Sequence, residues 1–595
     1  MMRFTTRPEL SGTFGMTAST HWIATAVGMS VLERGGNAFD AAVAMGFVLH
    51  LCEPHLNGPL GDMPALIWPH ADDRPTMICG QGVAPAAATV AHYRAEGLDL
   101  IPGSGLLATV IPGAFDAWML MLRDHGTWPL DEVLAPAIHY ARHGIPTLPR
   151  LGATIDGLAA FFRTEWPTSA AVWLPGGTPP AAGSLFRNLD LAATWERLVA
   201  EAGTGPRETC IDAARRTFAE GFIADAIDGY LRDACVMDAS GHRHRGVLSA
   251  QDMADWRASY EPVFMTEHAG WTVFKGGFWS QGPVQLQVLD MLAGDPLADL
   301  DPLGADFVHL TTEALKLAFA DREAFYGDSA DIPAATLLSR DFAAQRRALI
   351  GPGASPDLRP GHIPGHEGRA QAALARQHWL ARREANQGPG VGEPTMGHLK
   401  KPGDTVHLDV VDRWGNMVSA TPSGGWLQSS PVVPGLGMPL NSRAQMFWLD
   451  EGLPTSLKPG RRPRTTLSPS FARAPDGTRL AYGTPGGDQQ DQWQVAFLLR
   501  VIHHGMNLQE AIDAPLFHTD ALQASFDPRG FRPAHLLAEP AFPEATLQAL
   551  RDRGHRLEVS APWSAGRLTA VSRRPDGMLK AAATPRLMQA YAAGR

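Results

Sequence analysis

Apolar residues recur at helical spacing in several long stretches and alternate with polar ones in a few short ones, which predicts a protein of mixed helices and strands. The stretch STHWIATAVGMSVL, Ser19 to Leu32, reads as a helix behind a Ser/Thr cap, stopped by Gly35-Gly36, and a more apolar helix follows from Ala38. Further helices are expected at 113–124, 130–143, 307–326 and about 492–503. Between about 351 and 403 the pattern breaks into Pro/Gly-rich sequence with one short Ala/Arg helix, so 350–404 reads as an exposed, mobile segment. Directly behind it, TVHLDVVD (405–412), a turn at RWGN and MVSAT (417–421) predict a hairpin that begins abruptly at Thr405. Strands are also expected at 479–484 and 568–572, and no repeat of solenoid period is present.

At 595 residues the chain exceeds the usual single domain, so several domains, or one large core built from two processed pieces, are expected. A formal charge of -10 without a long basic run argues against nucleic acid or anionic lipid as partners. The most apolar stretch, Phe39 to Cys52, is interrupted by Asp40 and His50 and is too short to cross a bilayer. The start MMRFTTRPELSGTF has no apolar core of a secretory signal, and a cytoplasmic protein is expected. Cys52, Cys79, Cys210 and Cys235 lack CxxC pairing and read as buried thiols rather than a zinc site or disulfide framework. His242/His244 and His503-His504 lack the i, i+4 spacing of helical metal ligands, so no metal or organic cofactor is expected.

A threonine that opens a buried strand after a loose segment suggests a nucleophile released by cutting its own amide. A threonine hydroxyl attacks poorly at neutral pH, whereas a free α-amine on the same residue titrates near 8 and can take the hydroxyl proton. Cleavage between Asp404 and Thr405 would therefore supply the missing base.

Several stretches, in order, carry a resemblance to a known family: LERGGNAFDAAVA (32–44) with EPH (53–55), VIPGAFDAW (110–118), HGTWPLDEVLAPAIHYARHG (125–144), EALKLAFADREAFYGD (313–328), GDTVHLDVVDRWGNMVSAT (403–421), RPRTTLSPS (462–470) and GTPGGDQQ (483–490). The chain resembles the γ-glutamyltranspeptidase family of self-processing N-terminal-nucleophile hydrolases, possibly its oxamate-amidohydrolase-like branch, over nearly its whole length. The resemblance implies a four-layer αββα sandwich of the α+β class, a large piece of residues 1–404 and a small piece of residues 405–595 that stay associated. It also implies that Thr405 is the nucleophile, that Ser423 is the hydroxyl residue that positions it, and that Gly486 and Gly487 offer backbone amides to the oxyanion. Thr465 and Thr466 fall where the family has paired serines near the substrate.

The family grips the head of a γ-glutamyl group with an arginine, an asparagine and an aspartate, and the matching positions here are Val90, Gly425 and Trp448, while Gln445 is kept. An unpaired zwitterion in such a pocket would cost several kcal/mol, so glutathione is not the expected substrate. Trp426, Phe447 and Trp448 offer an apolar wall, and Arg443 and Arg464 each read as a surface arginine that could instead bind a small carboxylate. The expectation is a self-cleaving amidohydrolase acting on a small amide through an acyl-Thr405 ester. Alternatives are a true γ-glutamyltransferase with a rearranged pocket and a non-catalytic binding relative.

Overall fold

A computed structural model describes residues 4–384, 405–527 and 529–595. Fourteen strands build the frame: β1 Leu10–Gly12, β2 Gly15–Ser19, β3 Ala65–Trp68, β4 Thr76–Cys79, β5 Ser259–Glu261, β6 Phe264–His268, β7 Trp271–Lys275, β8 Leu408–Asp412, β9 Met417–Ala420, β10 Ser470–Arg473, β11 Arg479–Gly483, β12 Thr569–Arg573, β13 Leu579–Ala583 and β14 Tyr591–Gly594. They form two seven-stranded sheets, ordered β14-β2-β8-β9-β3-β4-β5 and β1-β13-β12-β11-β10-β7-β6. The alternation of side chains sorts them into layers. Met16, Ala18, Leu66, Trp68 and Val411 of the first sheet meet Phe274, Phe471, Ala481 and Val571 of the second in one buried cluster.

The opposite faces carry helices. Leu408, Val410 and Val418 pack with α1 (Trp22–Glu33), α2 (Ala38–Cys52), α3 (Ala114–His125) and α4 (Leu130–His143). Val273, Ala472, Leu480 and Ala570 pack with α5 (Pro283–Met291), α6 (Ala305–Phe325) and, beyond α7 (Glu367–Glu384), with α8 (Gln490–His504). The result is the expected four-layer αββα sandwich. Because β8 lies between β2 and β9, and β9 between β8 and β3, strands from either side of position 405 alternate within one sheet.

Several expectations are corrected. The cap of α1 is His21, whose imidazole accepts from the Ile23 N–H, not a Ser or Thr hydroxyl. The regular strand begins at Leu408, not Thr405, because Val406 lies opposite Pro422, which has no N–H to extend the ladder. The segment expected to be mobile includes the 18-residue helix α7, anchored by buried Ala373 and Leu380; residues 385–404, including Asp404, lie outside the described residues. Only Cys52 and Cys79 are buried; Cys210 is half-buried and Cys235 exposed, since both lie on or beside solvent-facing helices. Among the described residues no helix is long and apolar enough to cross a membrane.

Candidate active site

Thr405 sits at the edge of the sheet interface, fully buried, on the face of its strand that looks toward the second sheet. Its Oγ1 lies 3.2 Å from the Ser423 Oγ, and the two residues form an isolated antiparallel bridge. Ser423 is held from its other side by Asp62: the Asp62 N–H donates to the Ser423 carbonyl at 2.8 Å, and the Ser423 N–H donates to the Asp62 carbonyl at 2.9 Å. The Arg567 guanidinium donates to the Thr405 carbonyl at 2.8 Å and pairs with Glu53 at 3.4 Å. The Glu53 carboxylate also accepts from the Thr20 hydroxyl at 2.5 Å. Burial pushes the Glu53 carboxyl up, against the pull of Arg567.

Two residues further on, His407 fixes the gap between the sheets. Its Nε2 faces Asp409 at 3.0 Å and its Nδ1 faces the Thr421 hydroxyl at 2.9 Å, while Asp409 accepts from Thr569 on the second sheet at 2.6 Å. A carboxylate can only accept, so Nε2 carries the proton and Nδ1 accepts. Gly483 faces the ring so closely that a Cβ there would stand 2.3 Å from the His407 Cε1. The end of β11, and with it the following glycines, is thereby brought against the nucleophile strand.

Gly486 and Gly487 lie at φ of +129° and +53°, where a side chain is strained, and a Cβ on Gly486 would stand 2.3 Å from the Trp493 ring. Gly486 caps and Gly487 opens a 3-10 turn (487–489) that runs into α8, which puts the pair just ahead of the positive end of a 15-residue helix. The Arg567 N–H donates to the Thr484 hydroxyl at 2.9 Å, tying this corner to the arginine that holds Thr405. Gln281 joins Gly487 and Thr465: its side chain donates to the Gly487 carbonyl at 3.1 Å and its N–H to the Thr465 carbonyl at 2.9 Å. The neighbouring Thr466 hydroxyl is buried and has no hydrogen-bond partner among the described residues.

The positions expected to meet an acyl group are also buried, and the two arginines depart from expectation. Neither is at the surface. Arg443 is fully buried with its Nε 3.0 Å from Asp62 and its guanidinium 4.8 Å over Trp426, and burial pushes the Asp62 carboxyl up. Arg464 pairs with Glu323 at 2.7 Å. Each is committed to a carboxylate of the protein, because a buried guanidinium without one would be too costly. Trp448 lies between two further guanidiniums, Arg529 at 4.1 Å and Arg376 at 4.7 Å from its ring centre. Burial lowers these to about 9 and about 10. The Gln445 side-chain oxygen accepts from the Asp527 N–H at 3.3 Å. Val90 opens a short helix and packs beside Ala444 and Phe447.

Neither histidine pair weighed as metal ligands is spare, since His244 bonds Asp238 at 2.6 Å and His503 bonds His268 at 2.8 Å. Among the described residues His309, Glu313 and His555 could gather an ion. Glu313 is already paired with Lys316 at 2.5 Å and Arg359 at 3.1 Å. Sequence reasoning missed Asp62, Arg567 and His407, whose decisive neighbours lie far along the chain: Arg443 for Asp62, Glu53 and Thr405 for Arg567, and Gly483 for His407.

A family profile for gamma-glutamyltranspeptidases matches residues 24–594. The chain belongs to that family. It is therefore a hydrolase of the N-terminal-nucleophile class. The solved structure of LmbA2991HD is similar, with 54% identity, a TM-score of 0.93 and full coverage of both chains. Acylase ACY 1 proenzyme of Pseudomonas sp. (strain SE83) is 32% identical over 96% of this chain and 92% of that protein. Oxamate amidohydrolase proenzyme of Klebsiella pneumoniae is 30% identical over 96% of this chain and 97% of that protein.

Proposed function

We propose that the chain cleaves itself between Asp404 and Thr405 and then hydrolyses a small amide whose acyl group is not γ-glutamyl. The observation that carries the first half is the Thr405 hydroxyl, buried 3.2 Å from Ser423, with Arg567 joining the Thr405 carbonyl to Thr484 at the foot of the glycine corner. Relatives that are proenzymes support the same reading. In maturation the hydroxyl attacks the Asp404 carbonyl, the acyl group moves from nitrogen to oxygen, and water opens the ester. The alternation of β2, β8, β9 and β3 keeps the pieces 1–404 and 405–595 in one sheet afterwards.

In turnover the same hydroxyl adds to the substrate carbonyl while its proton passes to the Thr405 α-amine. The oxyanion lies at the amides of Gly486 and Gly487. The amine then protonates the leaving nitrogen as the C–N bond breaks, and water releases the acyl group from Thr405.

The acyl pocket supports the second half. At Gly425, φ is +63° and a Cβ would stand 3.0 Å from the Gly61 nitrogen, so the position where the family has an asparagine for the ammonium is here a glycine packed closely on backbone. The acidic partner of that ammonium is replaced by Trp448, between two guanidiniums that would repel a cation. Thr465, Thr466, Gln445, Trp448 and Arg443 are the residues assigned to this pocket, with Arg443 acting through Asp62 rather than as a free carboxylate clamp. Purified enzyme offered oxamate, phenylacetyl p-nitroanilide and γ-glutamyl p-nitroanilide tests the assignment. Hydrolysis of either of the first two above the third supports it, and a preference for the γ-glutamyl compound overturns it.

A further inference from the structure

We propose that Arg567 is a positioning residue that also sets the basicity of the Thr405 α-amine, keeping it unprotonated and able to act as base at neutral pH. The proposal rests on the reading of Thr405 as the N-terminal nucleophile. Its starting point is geometric: the guanidinium donates at 2.8 Å to the carbonyl oxygen of the residue whose amine is to act. Covalent geometry keeps that oxygen within about 4 Å of the α-nitrogen of the same residue, so the guanidinium nitrogen lies within about 7 Å of the amine. A neighbouring cation disfavours the ammonium form and lowers its pKa. The Arg567 backbone N–H donates to the Thr484 hydroxyl at 2.9 Å, which fixes the main chain at this corner, while Glu53 at 3.4 Å holds the guanidinium.

The other charges around the amine do not cancel this one. Glu53 is the direct counter-charge to Arg567, but it faces Nη1 at 3.4 Å, whereas Nη2 is the nitrogen held against Thr405 at 2.8 Å, so the end of the guanidinium nearest the amine is not the one the carboxylate covers. Arg150, from the helix Pro149–Thr164, acts on Glu53 from farther off. Behind Ser423, Asp62 and Arg443 are paired with one another and contribute little net charge. Along the strand, His407 and Asp409 are hydrogen-bonded to one another and to Thr421 and Thr569. Arg567 is the cation joined to Thr405 itself.

The test is the pH dependence of kcat/KM for Arg567→Gln and Arg567→Lys beside wild type, with whichever p-nitroanilide of the panel is hydrolysed faster. The acid limb of that profile reports the free amine. Arg567→Gln should raise the acid limb by about one pH unit or more, with KM little changed, while Arg567→Lys, which keeps the charge, should leave the limb near the wild-type position. Coincident acid limbs in all three proteins overturn the proposal while leaving Thr405 as nucleophile. If neither variant self-cleaves, Arg567 is an element of maturation rather than of base tuning, and the proposal is likewise overturned. Failure of wild type itself to cleave before Thr405 removes the reading underneath instead, and intact mass shows it before any pH profile is taken.

Discussion

Removing the carboxylate of Asp62 should destabilise the protein by about 3 kcal/mol, although Asp62 touches no substrate in the proposed mechanism. Arg443 is fully buried, and its ion pair is with Asp62, Nε to Oδ1 at 3.0 Å. Its other side-chain contacts are the Met446 sulfur at 3.9 Å and the face of Trp426 at 4.8 Å. Taking one member from a buried pair strands the other, at about 3–5 kcal/mol. The Trp426 face returns roughly 1 kcal/mol as a cation–π contact. Asp62→Asn keeps an acceptor for Nε and should cost about half as much. Asp62→Leu combined with Arg443→Met removes both charges and should recover most of the loss. Urea unfolding, with every variant built on Thr405→Ala so that all are compared as single chains, gives the values. A cost below about 1 kcal/mol for Asp62→Ala, or a double variant less stable than Asp62→Ala alone, would refute the reasoning.

Other outcomes follow from the same geometry. Ser423→Ala should slow both self-cleavage and turnover by about tenfold, the worth of one hydroxyl contact, without altering the fold by circular dichroism. Gly486→Ala meets both a φ of +129° and the Trp493 ring, and should lower kcat by about 100-fold or more while leaving KM within a few-fold. Gly425→Asn should not by itself create γ-glutamyl activity, because Trp448, with Arg529 and Arg376 over its ring, still stands in place of the acidic partner; a gain in γ-glutamyl p-nitroanilide hydrolysis would contradict this. Burial holds His21, His50 and His555 down at about 3 from an ordinary value of 6.5. Below pH 6.5 the unfolded chain therefore takes up protons that the folded chain refuses, and stability falls as pH drops from 6.5 toward 3. The slope is about 1.4 kcal/mol per pH unit per histidine. His50→Gln should reduce that slope by one proton in urea titrations at pH 7, 6 and 5.

Much of the sandwich was legible because its signals are local. The helix Leu130–His143 matches the span its apolar spacing predicts, and the hairpin at 408–420 follows two short apolar-rich runs around a turn. The glycine pair drew notice only through the family resemblance of GTPGGDQQ, since two glycines alone read as a plain turn. What escaped depends on partners far apart in the chain. Asp62 and Arg443 are separated by 381 positions, and Arg567 and Thr405 by 162. Nothing in the local sequence of either arginine distinguishes a buried, paired guanidinium from a surface one. Trp448 was read as an apolar wall, yet the structure makes it a platform for two guanidiniums contributed by distant segments. The hairpin start was misplaced by three residues because Pro422 breaks the ladder on the partner strand, not on the strand being read.

The central claim is tested most directly by the intact mass of purified wild type beside Thr405→Ala. The account predicts two pieces from wild type, one ending at Asp404 and one beginning at Thr405, and a single uncut chain from the variant. A wild type that stays whole at 595 residues, or a Thr405→Ala chain that is still cut at the same bond, would contradict it.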